Sequence, residues 1–123
     1  MGQFNAHIDA GKNVIYMEFI GAFRKEDMLA TNEKALNLIK DLKPGFTVIN
    51  DISQYTVSGP EVAELITVGG KKLIDRGMKR LIRIVGESAI AQMQFQRTSK
   101  HAGYQAHTVA SLEEAERLLE PEE

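Results

Sequence analysis

Phe46-Thr47-Val48-Ile49-Asn50-Asp51-Ile52 (residues 46–52) is a short apolar run rich in β-branched side chains, of the kind that fills a buried strand. Its flanks carry a different period. On the amino side, Met28, Leu29, Leu36, Ile39 and Leu42 fall largely on one helical face between about Lys25 and Leu42, and Pro44-Gly45 stops that helix. On the carboxyl side a helix starts near Pro60 and carries Val62, Leu65, Ile66, Leu73 and Ile74 to about Arg76. Gly77 follows as its C′ residue, where positive φ is wanted. A strand held between two helices is the repeating unit of an α/β sheet.

The pattern extends in both directions. Residues 3–9 alternate Phe4, Ala6 and Ile8 with polar neighbours, and residues 14–20 are β-branched and aromatic. The turn chemistry of Asp9-Ala10-Gly11-Lys12-Asn13 joins them as an antiparallel hairpin. Downstream, residues 80–85 form a fourth strand ended by Gly86, residues 88–101 a third helix stopped by Gly103, and residues 104–110 a fifth strand. Ser111-Leu112-Glu113-Glu114 is a capping box that opens a last helix burying Leu112, Ala115, Leu118 and Leu119 and fraying after Pro121. The order β-β-α-β-α-β-α-β-α predicts one α/β domain over residues 1–123. Its five-stranded sheet is mixed but mostly parallel, with the first strand antiparallel.

Composition narrows the function. The chain has 123 residues, 15 Lys plus Arg against 17 Asp plus Glu, 43% hydrophobic residues and no cysteine. Disulfides, thiolate nucleophiles and Cys-based zinc sites are therefore excluded. A net charge of −2 argues against a general nucleic-acid binder, which must neutralise many phosphates. No stretch approaches the roughly 20 apolar residues of a membrane helix, and no leader opens the chain, so a cytoplasmic protein without membrane insertion is expected. His7, His101 and His107 have no metal-ligand spacing, and there is no G-x-S-x-G elbow. No catalytic residue, metal site or cofactor is expected.

The segment from Asp51 to Glu61 runs from the end of strand three to the start of the second helix, the end of an open α/β sheet where ligands and regulatory contacts collect. Asp51, Ser53, Thr56, Ser58 and Gly59 are its candidate binding and regulatory residues. Ser58 has two readings. Beside a helix amino end it suits a phosphate; three residues before Glu61 it suits an ordinary N-cap. Asp51 has a bland reading too, tying down its own loop backbone. Gly69-Gly70-Lys71-Lys72 lacks the spacing of a phosphate loop, and its glycines suit a close approach or a bend instead. Arg83 lies between Ile82 and Ile84 in mid-strand. If helices cover one sheet face only, Arg83 points to the other and marks a homodimer surface, with Glu18 as a distant counter-charge.

Three stretches resemble a known family: Val14-Ile15-Tyr16 followed by Gly21-Ala22-Phe23, the strand end Val48-Ile49-Asn50-Asp51-Ile52-Ser53, and Ser111-Leu112-Glu113-Glu114-Ala115-Glu116. With the order of elements, they are similar to the STAS domain, the sulfate-transporter and anti-sigma-antagonist module, in its SpoIIAA-like branch. That branch shares a β/α superhelical fold with CRAL-TRIO lipid-binding domains. In anti-sigma antagonists a kinase phosphorylates a Ser after the third strand, in an Asp-Ser-Ser-Gly type of pattern. Ser58-Gly59 match its Ser-Gly, whereas Thr56 and Val57 stand where the pattern has Asp and Ser. Thr56 is a second hydroxyl in the same place. The resemblance implies a non-enzymatic regulatory domain that binds a partner protein around residues 53–61. The alternative, by analogy with the lipid-binding relatives, is a carrier of a small apolar ligand lined by Met93 and Phe95.

Overall fold

The structure is a computed structural model that describes residues 2–56, 58–85 and 106–119. The expected third helix over 88–101, with Met93, Phe95 and His101, lies outside the described residues, as do Val57, Gly86, Gly103 and Pro121. The described elements are β1 (Gln3–Asp9), β2 (Val14–Ala22), α1 (Lys25–Leu38), a 3-10 turn (Ile39–Asp41), β3 (Thr47–Thr56), α2 (Pro60–Asp75), β4 (Arg80–Ile84), β5 (Ala106–Val109) and α3 (Leu112–Arg117). The sheet order is β1-β2-β3-β4-β5, with β1 antiparallel to β2 and every other neighbour parallel. This is the expected mixed sheet.

Local chemistry sets the turns. Asn13 takes φ +60° in the hairpin, and its side-chain amide bonds reciprocally to Lys43, donating to the carbonyl and accepting from the amide at 3.1 and 2.9 Å. The hairpin is thereby fixed to the connection that enters β3. The Asp27 carboxylate accepts the Arg24 amide at 2.9 Å at the start of α1, and that bond holds its pKa below the usual carboxylate value. The last turn of the first helix tightens to 3-10 geometry, so the α-helix is shorter than its apolar period suggests. Gly77, at φ +105°, ends α2 against Pro44, whose Cα would lie 2.9 Å from any added Cβ.

The two sheet faces meet different helices, and the short α3 covers only part of its face. Ile15, Met17, Phe19, Val48, Ile52 and Leu81 face α1 and α2, meeting Met28, Ala35, Val62, Ile66 and Leu73. Val14, Ile49, Ile82 and Ile84 face the other way and meet Ala115 of α3, which is fully buried. The two long helices close over the sheet at Gly69, where Asn32 fills the space of the missing side chain and donates to the Leu65 carbonyl at 3.0 Å.

Three expectations are corrected. The last helix does not bury Leu112 and Leu118, which are 48% and 40% exposed; Ala115 and Leu119 make its contact with the sheet. Strand three does not end at Ile52. Glu18 of β2 pairs with Asp51 but Ile20 pairs with Gln54, so β3 carries one extra residue, a bulge. The Asp51 carboxylate stabilises it by accepting from the Ser53 amide at 2.9 Å and the Ser53 hydroxyl at 2.6 Å. Beyond the bulge the strand continues to Thr56. Arg83, expected on an open face as a dimer contact, is only 2% exposed. It lies two residues from Leu81 on the α1–α2 side, beside Asn50, whereas Ile82 and Ile84 point under α3. With apolar cover on both faces of β4, its alternation does not reveal which face is open. Glu18 is on the opposite face and is not its counter-charge.

Candidate functional site

The junction of β3 and α2 brings together Thr56, Ser58 and Gly59. The N-cap of α2 is Gly59, in extended geometry with Pro60 following at the first helical position, so Ser58 is not the cap. Its hydroxyl has another use. It accepts the Phe23 amide at 3.1 Å, just beyond β2, and donates to the Thr56 carbonyl at 3.2 Å. Ser58 thus ties the ends of two neighbouring strands together one residue ahead of the positive end of a 16-residue helix.

Beneath it lies an aromatic trio. Phe23 and Tyr55 have ring centroids 6.0 Å apart, and Phe19 lies 5.4 Å from the first and 6.4 Å from the second. Phe23 and Tyr55 are 5% and 4% exposed, so the junction is braced by core side chains. Burial pushes the Tyr55 phenol pKa up; hydrogen bonding from Ser58 opposes it. A charge added at Ser58 would act on Phe23, Thr56 and Tyr55 together.

Asp51 and Ser53 are not part of this junction. Asp51 faces the α3 side of the sheet, where β1, β2 and β3 extend past the edge of that short helix. Two rows of side chains cross the strands there: Asn5, Glu18 and Asp51 in one, His7, Tyr16 and Ile49 in the other. The His7 and Tyr16 rings stack with centroids 4.7 Å apart and planes 11° from parallel. Asn5 donates to Glu18 at 3.1 Å. Together with Ile84 and Leu112 they enclose an open trough of about 190 Å³. Sequence reasoning missed it because the register that sets Glu18 opposite Asp51, and His7 opposite Tyr16, is a property of strand pairing. Among the described residues no group of three or more His, Asp or Glu side chains is placed to hold a metal, and no helix is long and apolar enough to cross a membrane.

A narrow cleft also opens between α1 and α2, floored by Met17, Asn50 and Leu81 and about 40 Å³ in volume. Asn50 is 4% exposed and its Oδ1 makes no hydrogen bond among the described residues.

No family profile matches the chain, and no curated protein matches it. Solved structures do. A protein of the DUF3478 family with a SpoIIAA-like fold, from Shewanella loihica PV-4, superposes with a TM-score of 0.70 at 17% identity, covering 97% of this chain and 95% of its own. The fold is SpoIIAA-like. An anti-sigma factor antagonist from Mycobacterium paratuberculosis gives 0.64 at 13% identity over 97% and 94% of the two chains. The anti-sigma factor antagonist SpoIIAA in its unphosphorylated form gives 0.61 at 14% over 94% and 97%. Within this SpoIIAA-like fold, Ser58 occupies the junction that the sequence singled out, with a role in strand tethering that the sequence did not disclose.

Proposed function

We propose that the chain is a regulatory protein-interaction domain, of the kind represented by the anti-sigma factor antagonists that share its fold, and that its partner binds at the β3–α2 junction around Thr56, Ser58 and Gly59. One observation carries this reading: the Ser58 hydroxyl is the link between Phe23 at the end of β2 and Thr56 at the end of β3, directly before the amino end of α2. Phosphorylation there would remove the hydroxyl proton donated to Thr56 and add about −1.5 to −2 charges beside the helix terminus. That change would alter a docking surface without entering the core.

The test compares wild type with Ser58→Asp, Ser58→Ala and Ser58→Thr as bait in quantitative pull-downs, with circular dichroism on each. The expected result is a partner retained by wild type and Ser58→Thr and lost by Ser58→Asp at unchanged secondary structure. Equal recovery by wild type and Ser58→Asp refutes a junction-centred interaction. The second reading, a carrier of a small apolar ligand, draws on the α1–α2 cleft and the Asn50 amide oxygen. That cleft is narrow, about 40 Å³, and its walls are mainly apolar side chains of the two long helices.

A further inference from the structure

We propose that the trough on the α3 side of β1–β3 receives an arginine side chain of a partner polypeptide. This rests on the reading of the chain as a protein-interaction domain and adds a second contact surface, away from Ser58.

Glu18 and Asp51 are directly paired residues on neighbouring parallel strands, with side chains on the same face. Like charges set opposite one another across a sheet repel. Neutral groups hold both in place: Asn5 donates to Glu18, and Ser53 donates twice to Asp51. The ion pairs among the described residues, Arg24 with Asp27 and Arg117 with Glu113, lie elsewhere. Burial raises the Tyr16 phenol pKa, and the charges that act on it are mixed: Lys12 lowers it, and Glu116 and Asp9 raise it. Glu18 and Asp51 thus stand side by side in the trough with no ion pair to either among the described residues, and the complementary occupant of that carboxylate pair is a cation.

Shape selects the kind of cation. Tyr16, backed by the parallel ring of His7, offers a flat aromatic wall. Ile49 and Ile84 are buried beneath, and Leu112 is 48% exposed at the rim, so an aliphatic stem finds apolar contact on the way in. A planar guanidinium can lie against the tyrosine while its fork reaches both carboxylates; an ammonium is a more strongly hydrated point charge without that plane.

The probe is the peptide Ac-Gly-Gly-Arg-Gly-Gly-NH2, titrated into the full chain labelled with 15N, with lysine and citrulline versions as controls. The expected result is saturable amide shifts centred on Tyr16, Glu18, Ile49 and Asp51. Binding should be about tenfold weaker or worse for the lysine and citrulline peptides, and weaker by a similar factor for the double variant Glu18→Gln plus Asp51→Asn. The double variant keeps side-chain size and the oxygens that accept from Asn5 and Ser53, so a well-dispersed spectrum separates lost binding from lost folding. Absence of saturable shifts, equal binding of the lysine peptide, or undiminished binding to the double variant overturns the proposal. So does self-association of the unliganded protein that the double variant abolishes, since a second copy of the chain would then be the occupant. Ser58→Asp should bind the peptide like wild type, so a failure at either surface is read independently of the other.

Discussion

The contact between α1 and α2 permits a quantitative test of how the two helices are seated. An ideal Cβ on Gly69 would lie 2.5 Å from Asn32 Oδ1, 3.1 Å from its Cγ and 3.3 Å from its Nδ2. In Gly69→Ala, the helix gains about 1 kcal/mol of intrinsic propensity. Against this, the Asn32 amide, the end of a flexible side chain, must swing out of the methyl group's place, and its bond to the Leu65 carbonyl goes with it at a cost of roughly 0.5–1.5 kcal/mol. The two nearly cancel, so the net change is within about 0.5 kcal/mol of zero. With a urea slope of about 1–3 kcal/mol per molar for a small protein, the midpoint should move by no more than roughly 0.5 M, followed by far-ultraviolet circular dichroism. In an Asn32→Ala background the obstruction is gone, and the same glycine substitution should raise stability by up to about 1 kcal/mol. A Gly69→Ala protein destabilised by about 2 kcal/mol or more would refute the reasoning, as would an effect of equal size and sign in both backgrounds.

Two other substitutions probe the functional surfaces through stability. Ser58→Ala leaves the part-buried Phe23 amide without its acceptor and should cost about 1–2 kcal/mol in urea unfolding, with Ser58→Thr restoring most of it. Glu18→Gln removes a cross-strand repulsion with Asp51 and should stabilise the fold by about 0.2–1 kcal/mol, a gain that shrinks as salt is added. Tyr55 supplies a pH test. Burial raises its phenol pKa in the folded state, so its contribution is fully present below the unfolded value of about 10 and is lost as pH rises through the raised folded value. Tyr55→Phe should therefore flatten the alkaline limb of a stability–pH profile, and an unchanged slope would show that Tyr55 does not control it.

Much of the architecture was legible because the relevant signals are local. Gly77 at positive φ, Ser111 accepting the Glu114 amide at 3.2 Å, and the alternation of Phe4, Ala6 and Ile8 on the helix-facing side of β1 all follow from neighbours within a few positions. The second half of β3 was hidden for the opposite reason. Its bulge places buried Ile52 and Tyr55 three residues apart with exposed Ser53 and Gln54 between them, a spacing that imitates a loop or a helix turn and breaks the period of two. Arg83 misled because alternation says which residues share a face but not which face is open. At the junction, composition pointed to Ser58, yet its bond to Phe23 spans 35 positions of sequence. The trough was less legible still, since Glu18 and Asp51 become neighbours only through the register of two strands separated by a whole helix.

The spatial order of the strands has a consequence for how the molecule is made. Because β1 to β5 lie side by side in the order of the chain, no strand has to slip between two already paired. A nascent chain that has emerged as far as Thr56 holds three adjacent strands and the helix that covers them, and every later strand docks onto a free margin. Growth from one edge in the direction of synthesis lets each segment settle before the next arrives, and it confines unpaired backbone at any moment to the advancing border.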